Sequence, residues 1–169
     1  EGITRNVHFV GDTMFDSVLQ FAAIARRRSS ITKRLNLTRG EYLLATVHRA
    51  HNTDIPENLS SLLTAFCETK EPVVFPVHPR TRQKITQLID ETPFQELAAN
   101  VTLIEPVGYL DMLLLELNAR MIMTDSGGVQ REAYFFGVPC VTLLSETPWP
   151  ETENSGWNVI VGTEVDAII

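Results

Sequence analysis

Apolar positions along this chain follow two periods that alternate. Short apolar runs of strand length occupy residues 7–10, 42–47, 73–77, 101–104, 120–123, 138–144 and 159–161. Between them the spacing changes to three and four residues, which places side chains on one face of a helix. Phe15, Val18, Leu19 and Ala22 form the first such face, followed by Ile55, Leu59, Leu62, Leu63 and Phe66. Ile85, Leu88 and Ile89 form the next, then Leu110, Leu113, Leu114 and Leu117, and a further helix opens at Ser126. Six or seven strands separated by helices predict an α/β fold, a doubly wound parallel sheet with helices on both faces, because parallel neighbours require crossover connections.

In such sheets ligands settle at the carboxyl ends of the strands, and there the polar chemistry of this chain collects. Thr46-Val47-His48-Arg49 follows the second run, Pro76-Val77-His78-Pro79-Arg80 the third, Glu105-Pro106-Val107-Gly108-Tyr109 the fourth and Asp125-Ser126-Gly127-Gly128 the fifth. Each tip alone reads as an ordinary loop. Four on one edge outline a pocket.

The fifth tip is the most informative. A strand that turns through Ser126, Gly127 and Gly128 into a helix presents unpaired N–H groups and the positive end of the helix dipole, which together hold a phosphate without a lysine. Ser126 suits the N-cap. Glu132 lies four residues past Gly128, one turn deeper on the same face, where a carboxylate accepts hydrogen bonds from vicinal sugar hydroxyls. Phosphate followed by hydroxyls describes a nucleotide or nucleotide sugar, although the same residues also read as a tight turn and a solvated acid. His48 and Arg49 offer donors suited to a pyrophosphate; His8 and His51 read equally as exposed. Asp125 is expected to fix its loop by local hydrogen bonds. A nucleophile elbow requires Gly-x-Ser-x-Gly, and Thr124-Asp125 precedes the serine instead.

Composition narrows the partners. With 169 residues, 44% hydrophobic and 21% charged, the chain suits one globular domain with a substantial core. A formal charge of −7 argues against nucleic acid or an anionic membrane as the main partner. The one basic cluster, Arg26-Arg27-Arg28 with Lys33 and Arg34, reads as a solvated helical face. Cys67 and Cys140 have neither metal-ligand nor redox spacing, no metal cluster is visible, and a reducing, cytoplasmic setting fits. No run of 18 apolar residues and no signal-like start occurs. The chain starts at Glu1 without methionine and stops just after Thr163-Glu164-Val165-Asp166, a capped first turn with no helix built behind it. A fragment of something longer is expected.

The motifs converge on one family. Thr124-Asp125-Ser126-Gly127-Gly128-Val129-Gln130-Arg131-Glu132-Ala133, with Val47-His48-Arg49-Ala50-His51-Asn52, Pro76-Val77-His78-Pro79, Glu105-Pro106-Val107-Gly108-Tyr109-Leu110, Glu146-Thr147-Pro148-Trp149-Pro150-Glu151-Thr152 and Gly156-Trp157-Asn158, resembles the non-hydrolysing UDP-N-acetylglucosamine 2-epimerases. Gly11-Asp12-Thr13 with Asp16 looks like the segment by which that family enters its second domain, so the resemblance covers the C-terminal half of a member.

It implies a Rossmann-like, nucleotide-sugar (UDP) binding domain over residues 1–169, one of two domains facing a cleft as in GT-B glycosyltransferases. Ser126, Gly127 and Gly128 would hold the diphosphate, Glu132 the ribose hydroxyls and His48 the leaving-group side, while the loop from Glu105 and Pro106 to Tyr109 would lie against uracil. Arg49 and His78 match positions lining an activator site in bacterial members. The implied reaction inverts C2 by anti elimination of UDP to a 2-acetamidoglucal and readdition to the other face, with no metal or redox cofactor, in cell-envelope polysaccharide biosynthesis. The catalytic carboxylates would lie in the missing N-terminal domain, so a fragment is expected to bind without turnover. The resemblance further implies a homodimer for the full-length form. Three positions depart from the family pattern: His51 where glutamate is more frequent, Leu144 where arginine is usual, and Pro148 where another glutamate is common. A glycosyltransferase donor domain and a noncatalytic nucleotide-sugar sensor would use the same site.

Overall fold

The computed structural model describes residues 2–91 and 99–169, with the backbone alone for residues 89–91. Six parallel strands form one sheet: β1 Leu43–Thr46, β2 Val73–Pro76, β3 Val101–Ile104, β4 Met121–Thr124, β5 Cys140–Thr142 and β6 Asn158–Ile160, in the order β3-β2-β1-β4-β5-β6. The helices are α1 Thr13–Arg28, α2 Ile31–Arg34, α3 Ala50–Thr53, α4 Pro56–Glu68, α5 Pro79–Glu91, α6 Tyr109–Asn118, α7 Gly127–Phe136, α8 Pro150–Asn154 and α9 Val165–Ile168.

Strand alternation sorts the core into two layers. Leu43, Ala45, Phe75, Met123 and Leu143 pack on one face against Leu59, Leu62, Leu63 and Phe66 of α4. Tyr42, Leu44, Val74, Ile122 and Cys140 pack on the other against Ala25 of α1, Ala133 of α7 and Leu113 and Leu115 of α6. With both faces covered, the central strands are apolar up to the buried threonines that end β1, β4 and β5, as buried parallel sheets require.

The order runs outward from β1 through β2 and β3, then restarts at β4 and runs the other way. β1 and β4 are therefore neighbours whose connections leave in opposite directions, and their tips frame a crevice at this switch point. Register sets Thr46 beside Thr124 at its rim.

Four expectations need correction. Residues 7–10 form no strand; Val7, Phe9 and Val10 are 62%, 101% and 74% exposed, with no neighbouring strand to take up their backbone groups. On α1, Val18 and Ala22 are buried but Phe15 and Leu19 are exposed, since the helix packs by a narrower face that continues to Ala25. Ile55 precedes α4 as its N-cap and is exposed, because Pro56 supplies the first helical residue. The turn after Thr163 forms as the four-residue α9 without a side-chain cap, and its Ile168 is buried on the α4 side of the sheet. Ile89 lies outside the residues whose side chains are described. Among the described residues no helix is long and apolar enough to cross a membrane.

Candidate functional site

The crevice between β1 and β4 is built around Asp125, which is fully buried immediately after β4. A carboxylate taken out of water needs donors, and the tip of β1 supplies them. The backbone N–H groups of His48 and Arg49 donate to its oxygens at 3.0 and 2.8 Å. The buried Asn52 of α3 adds its Nδ2 at 3.2 Å and donates also to the Leu143 carbonyl at 2.8 Å, tying in the end of β5. His48 Nδ1 faces Asp125 Oδ1 at 3.4 Å, and Arg49 Nε donates to the Asp125 carbonyl at 3.3 Å. Asp125 thus fixes the neighbouring tip as well as its own, and both His48 and Arg49 remain exposed.

The next residues open α7. Ser126 is the N-cap, its Oγ accepting from Val129 N at 3.4 Å, while its own N–H donates to Thr124 Oγ1 at 2.9 Å. The two glycines differ. Gly127 is buried; Trp149 Nε1 donates to its carbonyl at 2.8 Å, and a Cβ there would meet that nitrogen at 3.2 Å and Pro148 Cγ at 3.4 Å. Gly128 is exposed, and a Cβ there would meet nothing closer than 3.7 Å. Gly127 therefore admits the covering loop, and Gly128 leaves the backbone open to a ligand. Thr147 Oγ1 donates to Gln130 Oε1 at 2.6 Å and anchors that loop. Arg131 lies 4.3 Å from the Trp149 ring centroid and 5.5 Å from that of Phe135, and pairs with Asp12, the N-cap of α1.

Glu132, one turn into α7, is only 7% exposed, which removes the reading of a solvated acid. The Tyr109 hydroxyl donates to its Oε1 at 3.0 Å. Burial pushes the Glu132 carboxyl above the ordinary range, opposed by hydrogen bonds from Tyr109 and Glu116. Burial and the Glu132 charge together hold the Tyr109 phenol protonated well above its usual range.

Over these tips lies a cavity of about 400 Å³. His48, His78 and Arg80 give its lining polar groups, and Pro106, Val107, Met112 and Val129 give it apolar surface. Glu132 follows Val129 on the same face of α7. Of the expected site residues, His48, His78 and Pro106 line this cavity; Ser126, Gly127, Gly128 and Glu132 lie along α7 beside it, and Tyr109 reaches it through Glu132. Glu105 does not line it: its side chain is 80% exposed and pairs with Arg82 at 3.1 Å. Arg49 stands apart on Asp125. Sequence reasoning missed Arg80, clamped to Asp54 at 2.6 and 2.8 Å, and Met112, Asn52 and Trp149. Only the position of Arg80 at a strand tip signalled it. Among the described residues no group of three His, Cys, Asp or Glu is placed to hold a metal.

Comparison with known proteins places the chain in one family. Residues 1–169 match the family described as UDP-N-acetylglucosamine 2-epimerase. A UDP-N-acetylglucosamine 2-epimerase homolog of Methanococcus maripaludis is 48% identical over 100% of this chain and 47% of its own length. A UDP-2,3-diacetamido-2,3-dideoxy-D-glucuronate 2-epimerase of Pseudomonas aeruginosa is 44% identical over 95% of this chain and 43% of its own. The crystal structure of Methanocaldococcus jannaschii UDP-GlcNAc 2-epimerase in complex with UDP-GlcNAc and UDP superposes with a TM-score of 0.87 at 38% identity, covering 99% of this chain and 48% of that one. The chain spans about half the length of the curated relatives it matches.

Proposed function

The chain belongs to the UDP-N-acetylglucosamine 2-epimerase family, and from that premise we propose that it is the UDP-binding half of an isomerase interconverting UDP-N-acetylglucosamine and UDP-N-acetylmannosamine. The observation that carries the reading is the sequence of chemistries along α7: an open backbone at Gly128, an apolar surface at Val129 and a buried acceptor at Glu132. Gly128 receives the diphosphate and Glu132 the ribose hydroxyls, and the base lies against the apolar surface that Pro106 and Val107 of the 105–109 loop form with Val129. The relative solved with UDP-GlcNAc and UDP supports the same ligand class. Buried free thiols at Cys67 and Cys140 fit a cytoplasmic enzyme.

In this mechanism the proton leaves C2 and the C1–oxygen bond to UDP breaks, giving a 2-acetamidoglucal; UDP then adds back while a proton returns to C2 from the other face. The residues here act on the leaving group. Charge that develops on the departing diphosphate meets the start of α7 and His48, which donates a hydrogen bond or a proton to it. Ser126 and Asp125 keep both elements in place before the ligand arrives. The base for C2 comes from a further domain, so this half binds without turnover, and a homodimer of the longer form and an activator role for Arg49 and His78 belong to the same proposal.

The discriminating experiment uses the full-length protein with UDP-N-acetylglucosamine in deuterium oxide and no acceptor. An epimerase yields the manno epimer and deuterium at C2; a GT-B transferase or a sensor yields neither.

A further inference from the structure

One buried acid has no place in the site described so far. Glu116 lies inside the apolar run Leu113-Leu114-Leu115-Glu116-Leu117 of α6 and is 0% exposed. Neither of its carboxyl oxygens receives a hydrogen bond from an N–H or hydroxyl group among the described residues. It lies two turns past Tyr109 on the same face of α6, the face whose Tyr109 hydroxyl bonds Glu132, so the neighbour of its carboxyl is a second carboxyl, that of Glu132. Two acids in contact out of water cannot both be ionised, so the bond between them requires a proton on one. The deeper Glu116 holds it: burial raises its pKa first, and the Glu132 charge raises it further.

The groups facing Glu116 favour that arrangement. Among the described residues they are Tyr109 on its own helix, Glu132 on α7, Tyr42 at the entry to β1 and Cys140 on β5, and none of these is a cation. The Tyr42 hydroxyl is already spent on the Leu115 carbonyl at 2.6 Å. Burial pushes the Cys140 thiol up to about 12, so it too stays neutral.

We propose that Glu116 is a neutral carboxylic acid that keeps its proton, donates a hydrogen bond through it to Glu132, and holds that carboxylate ionised and aimed for a ligand's vicinal hydroxyls. It is a positioning residue one layer beneath the site. A carboxylate has about four acceptor positions. Tyr109 and Glu116 fill two from the protein side, and two remain, one for each hydroxyl of a diol. The inference rests on the reading that Glu132 faces the ribose.

Calorimetric titration with UDP and with 2′-deoxy-UDP tests both and keeps them apart. Wild-type protein favours UDP by about tenfold or more, the worth of a hydrogen bond to a charged acceptor. Glu116→Leu loses that preference, with a smaller loss for 2′-deoxy-UDP, which has only one of the two hydroxyls, whereas Glu116→Gln, which keeps a neutral donor, retains it. Equal wild-type affinities strike the ribose reading itself. A preserved preference in Glu116→Leu, an equal loss for both ligands, or failure of Glu116→Gln to rescue overturns the role of Glu116. Should Glu116→Leu not fold, the carbon-13 shift of the wild-type Glu116 carboxyl decides: a neutral acid at neutral pH upholds the proposal, and an ionised one overturns it.

Discussion

Asp125 and His48 are joined twice, through the backbone N–H of His48 at 3.0 Å and through its Nδ1 at 3.4 Å from the carboxylate. The pairing locks the tip of β1 to the start of α7, so the imidazole and the helix N-terminus are presented as one surface. Asp125→Ala leaves three donors, His48 N, Arg49 N and Asn52 Nδ2, without their acceptor. The expected loss is about 3–5 kcal/mol of stability, read from urea unfolding, and UDP affinity falls with it. Asp125→Asn preserves some acceptors and loses less. A change below about 1 kcal/mol for the alanine variant would show that the tips are held by something else.

Gly127 and Gly128 separate fold from ligand approach. Gly127→Ala sets a methyl 3.2 Å from Trp149 Nε1 and 3.4 Å from Pro148 Cγ, so the covering loop has to give, at about 1–2 kcal/mol of stability. Gly128→Ala meets nothing closer than 3.7 Å and gains up to about 1 kcal/mol of helix propensity. Its affinity for UDP nevertheless falls, because the methyl stands where the diphosphate approaches the backbone. Thermal unfolding and calorimetry on the same two variants check this; the opposite assignment of effects would place the ligand elsewhere.

Glu132→Ala removes the acceptor of the ribose hydroxyls and weakens UDP binding by about 1–3 kcal/mol. UMP binds more weakly than UDP to the wild type, since the helix start is assigned the second phosphate. Calorimetry reads both, and equal affinities in either comparison remove the corresponding contact.

Glu116 gives stability a pH dependence of fixed sign. Its carboxyl is raised well above the ordinary 4.5 in the folded protein, so the native state keeps a proton that the unfolded chain releases. The associated stabilisation is complete below pH 4.5 and is lost as pH rises toward the folded value, at up to about 1.4 kcal/mol per pH unit. Urea unfolding at about pH 5 and pH 6 should show wild type losing stability relative to Glu116→Gln across that interval. Parallel curves would mean that Glu116 is already ionised there.

The fold was legible because it rests on periodicity. Strand runs and helix faces were each separated by crossovers, and that pattern alone requires a parallel sheet with an occupied carboxyl edge. Where it misled, the missing ingredient was a partner: residues 7–10 have strand composition but no adjacent strand, and the sheet begins only at Leu43. The helix start at Ser126 was legible from its cap and glycines. Glu132 was visible as an acid at the right spacing, but its burial was not, since that depends on Tyr109 arriving from the start of α6. Asn52 and Glu116 act only through tertiary contact. Glu116 did carry a signal, a lone acid amid four leucines, and such an acid in a buried helix requires a partner.

The most direct measurement is a UDP titration of the nitrogen-15-labelled protein followed by amide shifts. Gly127 and Gly128 should move together with residues 107–109 and 129–132 along one saturable isotherm. Movement confined to other surfaces, such as the basic face at Arg26–Lys33, with the start of α7 unmoved, would contradict the assignment of this edge of the sheet as the UDP site.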